Sequence, residues 1–169
     1  MSDPSTMAVF NALPATGASA WLEQLCSSPR WAAAVLKGRP YADRGALLDA
    51  SDAVFAALGA DDLDAALAGH PRIGDKVSAA GHSADLSRSE QASMGTADDQ
   101  VKEALREGNI AYEQRFDRVF LIRAAGRSPQ EMLAELQRRL TNDDDAEVSE
   151  VREQLRQITR LRLEGALEA

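Results

Sequence analysis

A chain of 169 residues, 44% hydrophobic and 27% charged, has the makeup of a globular protein and is long enough to bury most of the surface its unfolded form exposes. Its net charge of -8 and the lack of any Lys/Arg block argue against nucleic acid, whose binders carry a basic face. No apolar run approaches the roughly 18 residues that span a bilayer, and a single cysteine, Cys26, excludes an internal disulfide or a thiolate-rich metal site within one chain.

Taken in order, the sequence predicts helices almost throughout. Residues 1–6 read as a frayed terminus without the basic-then-apolar layout of a secretion signal. Met7 to Leu13 reads as a short helix stopped before Pro14, and Thr16-Gly17-Ala18-Ser19 leads into a second one carrying Trp21, Leu22 and Leu25. Ser28-Pro29 is a start signal, with Ser as N-cap and Pro at the first helical position. The helix it opens holds Trp31, Val35 and Leu36 and ends at Gly38-Arg39-Pro40. Asp43 to Leu58 places Leu47, Leu48, Val54, Phe55 and Leu58 at helical spacing, closed by Gly59. Asp61 is expected to cap the next helix, and Gly69 to stop it in a left-handed turn.

From Gly69 to Leu86 periodicity fades and small or polar residues dominate, which predicts a long ordered loop of the functional kind. Ser87 is then expected to start a short helix that Gly95 stops, and Thr96 to cap a long one with Val101, Leu105, Ala111, Tyr112 and Phe116. Val119-Phe120-Leu121-Ile122 is too brief for a helix and has no candidate strand to pair with. Ser128-Pro129 repeats the cap signal before Met132, Leu133, Leu136 and Leu140. An acidic turn, Asn142 to Asp145, precedes a last helix running to Glu164. The sum is an all-α fold, an irregular bundle of about eight to nine helices, in a single domain over 1–169.

Candidate chemistry concentrates in Gly69-His70-Pro71-Arg72-Ile73-Gly74-Asp75-Lys76. Pro71 bars His70 from the helical region, so the imidazole stands on a stiff, non-helical corner, and catalysis rewards a side chain whose backbone cannot drift. His82, between Gly81 and Ser83, reads as solvated. A metal site built from His70, Asp75, His82 and Asp85 matches no ligand spacing, so no metal is expected. Ser87-x-x-Glu90 is explained by a capping box. Gln91 is not needed for that cap, and a helix start also favours an anionic ligand. In the last helix the apolar seam Val148, Val151, Leu155, Ile158 leads to Arg162, while Arg152, Arg156 and Arg160 fall off it and read as solvated. A buried arginine is either a structural ion pair or a carboxylate-gripping fork.

These residues resemble a known family. His70-Pro71-x-Ile73-Gly74, Ser87-x-x-Glu90-Gln91, Tyr112-x-x-Arg115-Phe116-x-x-x-Phe120-x-Ile122, Gly126-Arg127 and Leu161-Arg162-Leu163 are similar, in order, to motifs of the 2-oxo-4-hydroxy-4-carboxy-5-ureidoimidazoline (OHCU) decarboxylases. Asp117-Arg118-Val119 departs from the Gly-Phe-Pro of many relatives. The resemblance implies an all-helical decarboxylase without cofactor, commonly a homodimer, that makes (S)-allantoin and carbon dioxide in urate breakdown. It implies His70 as catalytic acid/base and Glu90 beside it. Around a small ureide substrate it places Pro71, Ser87, Gln91, Arg162 and the backbone of Ile122, Arg123, Ala124, Ala125 and Gly126. A cytoplasmic enzyme without nucleic-acid or membrane partners is the matching expectation. The alternatives are a non-enzymatic helical interaction module and an enzyme of a related ureide.

Overall fold

The computed structural model describes residues 6–74 and 82–167, and among these it is all-α, with nine α-helices, one 3-10 helix and no strand. Asp75 and Lys76 of the histidine stretch, and most of the frayed terminus, lie outside the described residues. No helix among the described residues is long and apolar enough to cross a membrane. The chain forms two compact units, one from everything up to Gly69 joined by Leu155 onward, the other His70–Gln154.

The first unit holds α1 (Met7–Ala12), α2 (Ala15–Leu25), α3 (Pro29–Lys37), α4 (Arg44–Ala57) and α5 (Ala60–Leu67). Local chemistry starts them: Thr6 accepts from the Val9 N–H, Ser28 from Trp31 and Asp43 from Ala46. Asp61 does not cap α5. Gly59 takes that position, and Asp62 reaches back to the Gly59 N–H at 3.1 Å while Asp61 sits in the first turn, where the helix dipole favours a carboxylate. Phe10, Trp21, Leu25, Trp31, Val35, Leu47 and Phe55 fill the core. Trp31, wholly buried, donates its indole N–H to Ser51 at 3.0 Å, so no polar atom is stranded with the ring. Arg39 Nη1 ties off the end of α1 by donating to the Phe10 and Leu13 carbonyls at 2.8 and 2.9 Å. Gly69 is not left-handed as expected. Its need for glycine is a close approach, since a Cβ there would collide with the Ser27 hydroxyl.

The second unit holds α6 (His82–Glu90), a 3-10 helix (Ala92–Thr96), α7 (Asp99–Phe116), α8 (Pro129–Arg139) and the first turns of α9 (Asp144–Ala166). α6 begins earlier than the sequence predicts, so Ser87 lies in its last turns and the capping box at Ser87 is overturned. Only one large apolar residue, Leu86, falls between His82 and Ser87, too few to draw a stripe. Thr96 does not cap α7 either; Asp98 does, accepting from the Val101 N–H at 2.8 Å. α7 packs on α8, with Leu105, Tyr112 and Phe116 joining Met132 and Leu136 in one core with Ile73, Phe120 and Ile122. The end of α7 is Asp117 in the left-handed region, at φ 55 and ψ 38, its N–H donating to Glu113 O at 2.9 Å.

Candidate active site

The histidine corner is tied down at three successive residues. Arg72 grips Glu113 of α7 with Nε and Nη2 at 2.5 and 2.6 Å. Ile73, 5% exposed, sits in the core and its carbonyl accepts from the Asn109 side chain at 3.1 Å. Gly74, at φ +89 where a side chain would be strained, donates its N–H to Gln91 Oε1 at 3.0 Å. His70 and Pro71, half-buried, lead into this clamp. A hollow of about 370 Å³ opens beside Ile73 and Gly74, walled by Met94 and α7. His70, Ser87, Glu90 and Gln91 are not among its described lining residues.

Ser87 and Glu90 belong instead to the last turns of α6. With Ser87 inside a turn whose Gln91 N–H donates to Ser87 O at 3.1 Å, residues 87, 90 and 91 stand at i, i+3 and i+4 on one face. Ser87 is buried and Glu90 and Gln91 are half-buried, and Gln91 fixes that face to the histidine corner through Gly74.

Phe120 to Gly126 is irregular backbone. Leu121 O accepts from Arg139 Nη1 at 2.7 Å and the Arg123 N–H donates to Gln154 Oε1 at 2.8 Å. Gly126, at φ +79, turns the chain so that Arg127 N donates to Ala124 O at 3.1 Å. Ser93 Oγ in turn donates to Arg127 O at 3.3 Å, so the 3-10 helix after Gln91 meets the end of this segment. The sequence reading missed Arg139, Glu147 and Gln154. A signal existed for Arg139: it continues the buried stripe Met132, Leu136 of α8, as Arg162 continues that of α9.

Arg162 belongs to the first unit. It is 5% exposed, as its register predicts, and donates to Leu25 O, the last residue of α2, at 3.1 Å. Its neighbour Cys26 is buried and burial pushes the thiol up, against smaller opposing effects of a Ser28 backbone hydrogen bond, Thr159 and the Arg162 charge. Arg156 and Arg160 are not simply solvated; both are half-buried and pair with Asp52 of α4, at 3.2 and 2.6 Å.

The model of the family described as OHCU decarboxylase matches residues 11–164 of this chain. The chain belongs to the OHCU decarboxylase family. Among curated relatives of this OHCU decarboxylase family member is the uric acid degradation bifunctional protein TTL of Arabidopsis thaliana. It is 30% identical over 141 residues, which is 82% of this chain but 44% of that protein, so the chain spans less than half the length of this relative. The crystal structure of an OHCU decarboxylase in the presence of (S)-allantoin superposes with a TM-score of 0.73 at 24% identity, covering 86% of this chain and 94% of that one. That of an (S)-allantoin synthase superposes at 0.72 and 18% identity, covering 96% and 54%. At those identities the two structures show a shared fold, the all-α one read from the sequence.

Proposed function

We propose that this OHCU decarboxylase family member decarboxylates 2-oxo-4-hydroxy-4-carboxy-5-ureidoimidazoline to (S)-allantoin and carbon dioxide in urate breakdown, as one helical domain working as a cytoplasmic homodimer. The observation that carries the reading is the Gly74–Gln91 bond, which joins the histidine corner to the Ser87–Glu90–Gln91 face within a chain whose residues 11–164 match the family.

The chemistry suits the side chains. The substrate's carboxylate is on a carbon next to a ring C=N. When the bond to the carboxylate breaks, its electron pair forms a C=C, the former C=N pair moves to the nitrogen, and carbon dioxide leaves. The nitrogen holds the proton it takes up, the ureido-bearing carbon takes a proton on one face, and the hydroxyl gives one up to become a carbonyl. One proton is consumed overall. The substrate's own imine accepts the electrons, so the reading assigns no cofactor. Imidazole is the side chain whose ordinary titration lies nearest neutrality, and His70 serves as the acid/base for the hydroxyl proton, oriented by Glu90. Gln91 and Ser87 face the ureido group, Pro71 the ring. The backbone of Ile122, Arg123, Ala124, Ala125 and Gly126 contacts the substrate, and the family resemblance assigns Arg162 to its anionic oxygens.

The test is His70→Asn, followed by circular dichroism of freshly generated substrate. The variant is expected to lose the accelerated appearance of optically active allantoin with its helical content unchanged. A rate near that of the parent removes His70 from the mechanism. A parent chain that turns over no ureide at all leaves the interaction-module reading standing.

A further inference from the structure

We propose that the buried cluster Tyr112–Glu147–Arg139, together with Gln154, is a positioning device that holds the Leu121–Arg123 backbone so that the peptide groups of Ile122 face the substrate; the inference rests on the function proposed above. The cluster is sealed: Tyr112 and Glu147 are 0% exposed and Arg139 is 1%. Tyr112 donates its hydroxyl to Glu147 Oε1 at 2.5 Å, Arg139 Nε donates to the same oxygen at 2.9 Å, and Asn142 donates to the other at 3.1 Å. Burial, and then the Glu147 carboxylate, push the Tyr112 phenol well above its ordinary range, so it stays a donor.

Stability alone is a weak reason for such a cluster. Desolvation of a buried ion pair offsets its attraction, and apolar side chains of similar volume serve as well or better. Apolar side chains cannot do what the rest of the Arg139 fork does. Its Nη1 donates to Leu121 O at 2.7 Å, and its guanidinium lies 4.6 Å from the centre of the Phe120 ring. Two residues on, the Arg123 N–H is held by Gln154, itself 7% exposed. The chain is therefore gripped on both sides of Ile122, whose side chain is anchored in the core.

Ile122 is 2% exposed, yet among the described residues its N–H and C=O make no hydrogen bond. Buried peptide groups are nearly always paired. An unbonded donor and acceptor in a clamped, buried segment are suited to a ligand that offers both an N–H and a carbonyl, as a ureide does. Arg139, Glu147 and Gln154 touch no substrate in this scheme and act only through the backbone they hold.

The experiment compares the full chain with the double variant Arg139→Met/Glu147→Leu, reading steady-state kinetics and amide hydrogen exchange. KM is expected to rise about tenfold with kcat within about threefold, because the lost interaction holds ground state and transition state alike. The Arg123 amide is expected to exchange at least about tenfold faster while amides in the middle of α7 keep their protection. If the double variant does not fold, Gln154→Met carries the test. It should raise KM in the same way, and Gln154→Glu, which keeps an acceptor for the Arg123 N–H, should bring it back to within about threefold of the parent. An active parent whose variants keep the parental KM overturns this inference and leaves the function intact. A KM shift with unchanged exchange at Arg123 overturns it as well. A parent without ureide turnover overturns both.

Discussion

Asp117 ends α7 in a left-handed backbone conformation that glycine adopts without strain. Asp117→Gly is therefore expected to stabilise the protein. A non-glycine residue in the left-handed region costs roughly 1–2 kcal/mol, and aspartate lies near the low end because its short side chain tolerates it. Its carboxylate also sits at the negative end of an 18-residue helix, an opposition of about 0.3–1 kcal/mol. Against these gains stands the greater freedom of glycine in the unfolded chain, about 0.4–1 kcal/mol. The balance is a gain of about 1 kcal/mol, or about 2–4 °C in melting temperature for a chain of this size. Urea denaturation of a short series separates the contributions. Asp117→Asn should recover only the charge part, with a gain that shrinks in 1 M salt, where screening acts over about 3 Å. Asp117→Ala keeps the strain and should fall at least about 1 kcal/mol below Asp117→Gly. An alanine variant as stable as the glycine one would show that the left-handed cap is not what sets the stability here. Turnover should be unaffected, since the side chain is exposed.

Three further outcomes are expected. Arg162→Lys removes the planar fork but keeps the charge, and kcat/KM should fall about thirtyfold or more while the melting temperature drops by only a few degrees; a fall in melting temperature alone would make Arg162 a structural group serving Leu25 O. Cys26, 2% exposed and with its thiol pushed up by burial, should resist a thiol reagent at pH 8 and react only at the rate of unfolding, and rapid native-state labelling would contradict that burial. The Glu150 carboxyl is held below its ordinary 4.5, chiefly by its hydrogen bond to Arg138, so its contribution is fully present above that pH and is lost as pH falls through the lower folded value. Because Arg138 is half exposed, Glu150→Gln should cost only about 0.3–0.5 kcal/mol at pH 7, and chemical denaturation should find that difference shrinking toward zero in acid.

What the sequence made legible is what local chemistry decides. Ser28-Pro29 and Ser128-Pro129 start α3 and α8 as the cap pattern predicts, because both the hydroxyl acceptor and the fixed proline φ act within one turn. The burial of Arg162 follows from the register of a 23-residue helix. The failures share one cause, which is that the deciding partner lies elsewhere in the chain. Gly69 is required by Ser27, a residue more than one helix away, rather than by its own φ. α6 starts in a polar stretch that shows no stripe, so periodicity alone puts its first turn in a loop and makes Ser87 a cap. Arg139 stood on a buried stripe like Arg162, but its meaning came only with Glu147, Tyr112 and Leu121. The family motifs named the corner and the backbone segment; they did not name what holds that segment in place.

Both tryptophans, Trp21 and Trp31, stand in the core of the first unit, and the second unit contains none. Indole emission therefore watches the half of the molecule that carries Arg162 and is blind to the half that carries His70. An intrinsic-fluorescence melt of a His70, Arg139 or Gln154 variant can look unchanged while the surroundings of those residues have come apart. Far-UV ellipticity recorded alongside closes that gap, and two curves with different midpoints would mean that the halves open as separate steps rather than in one transition.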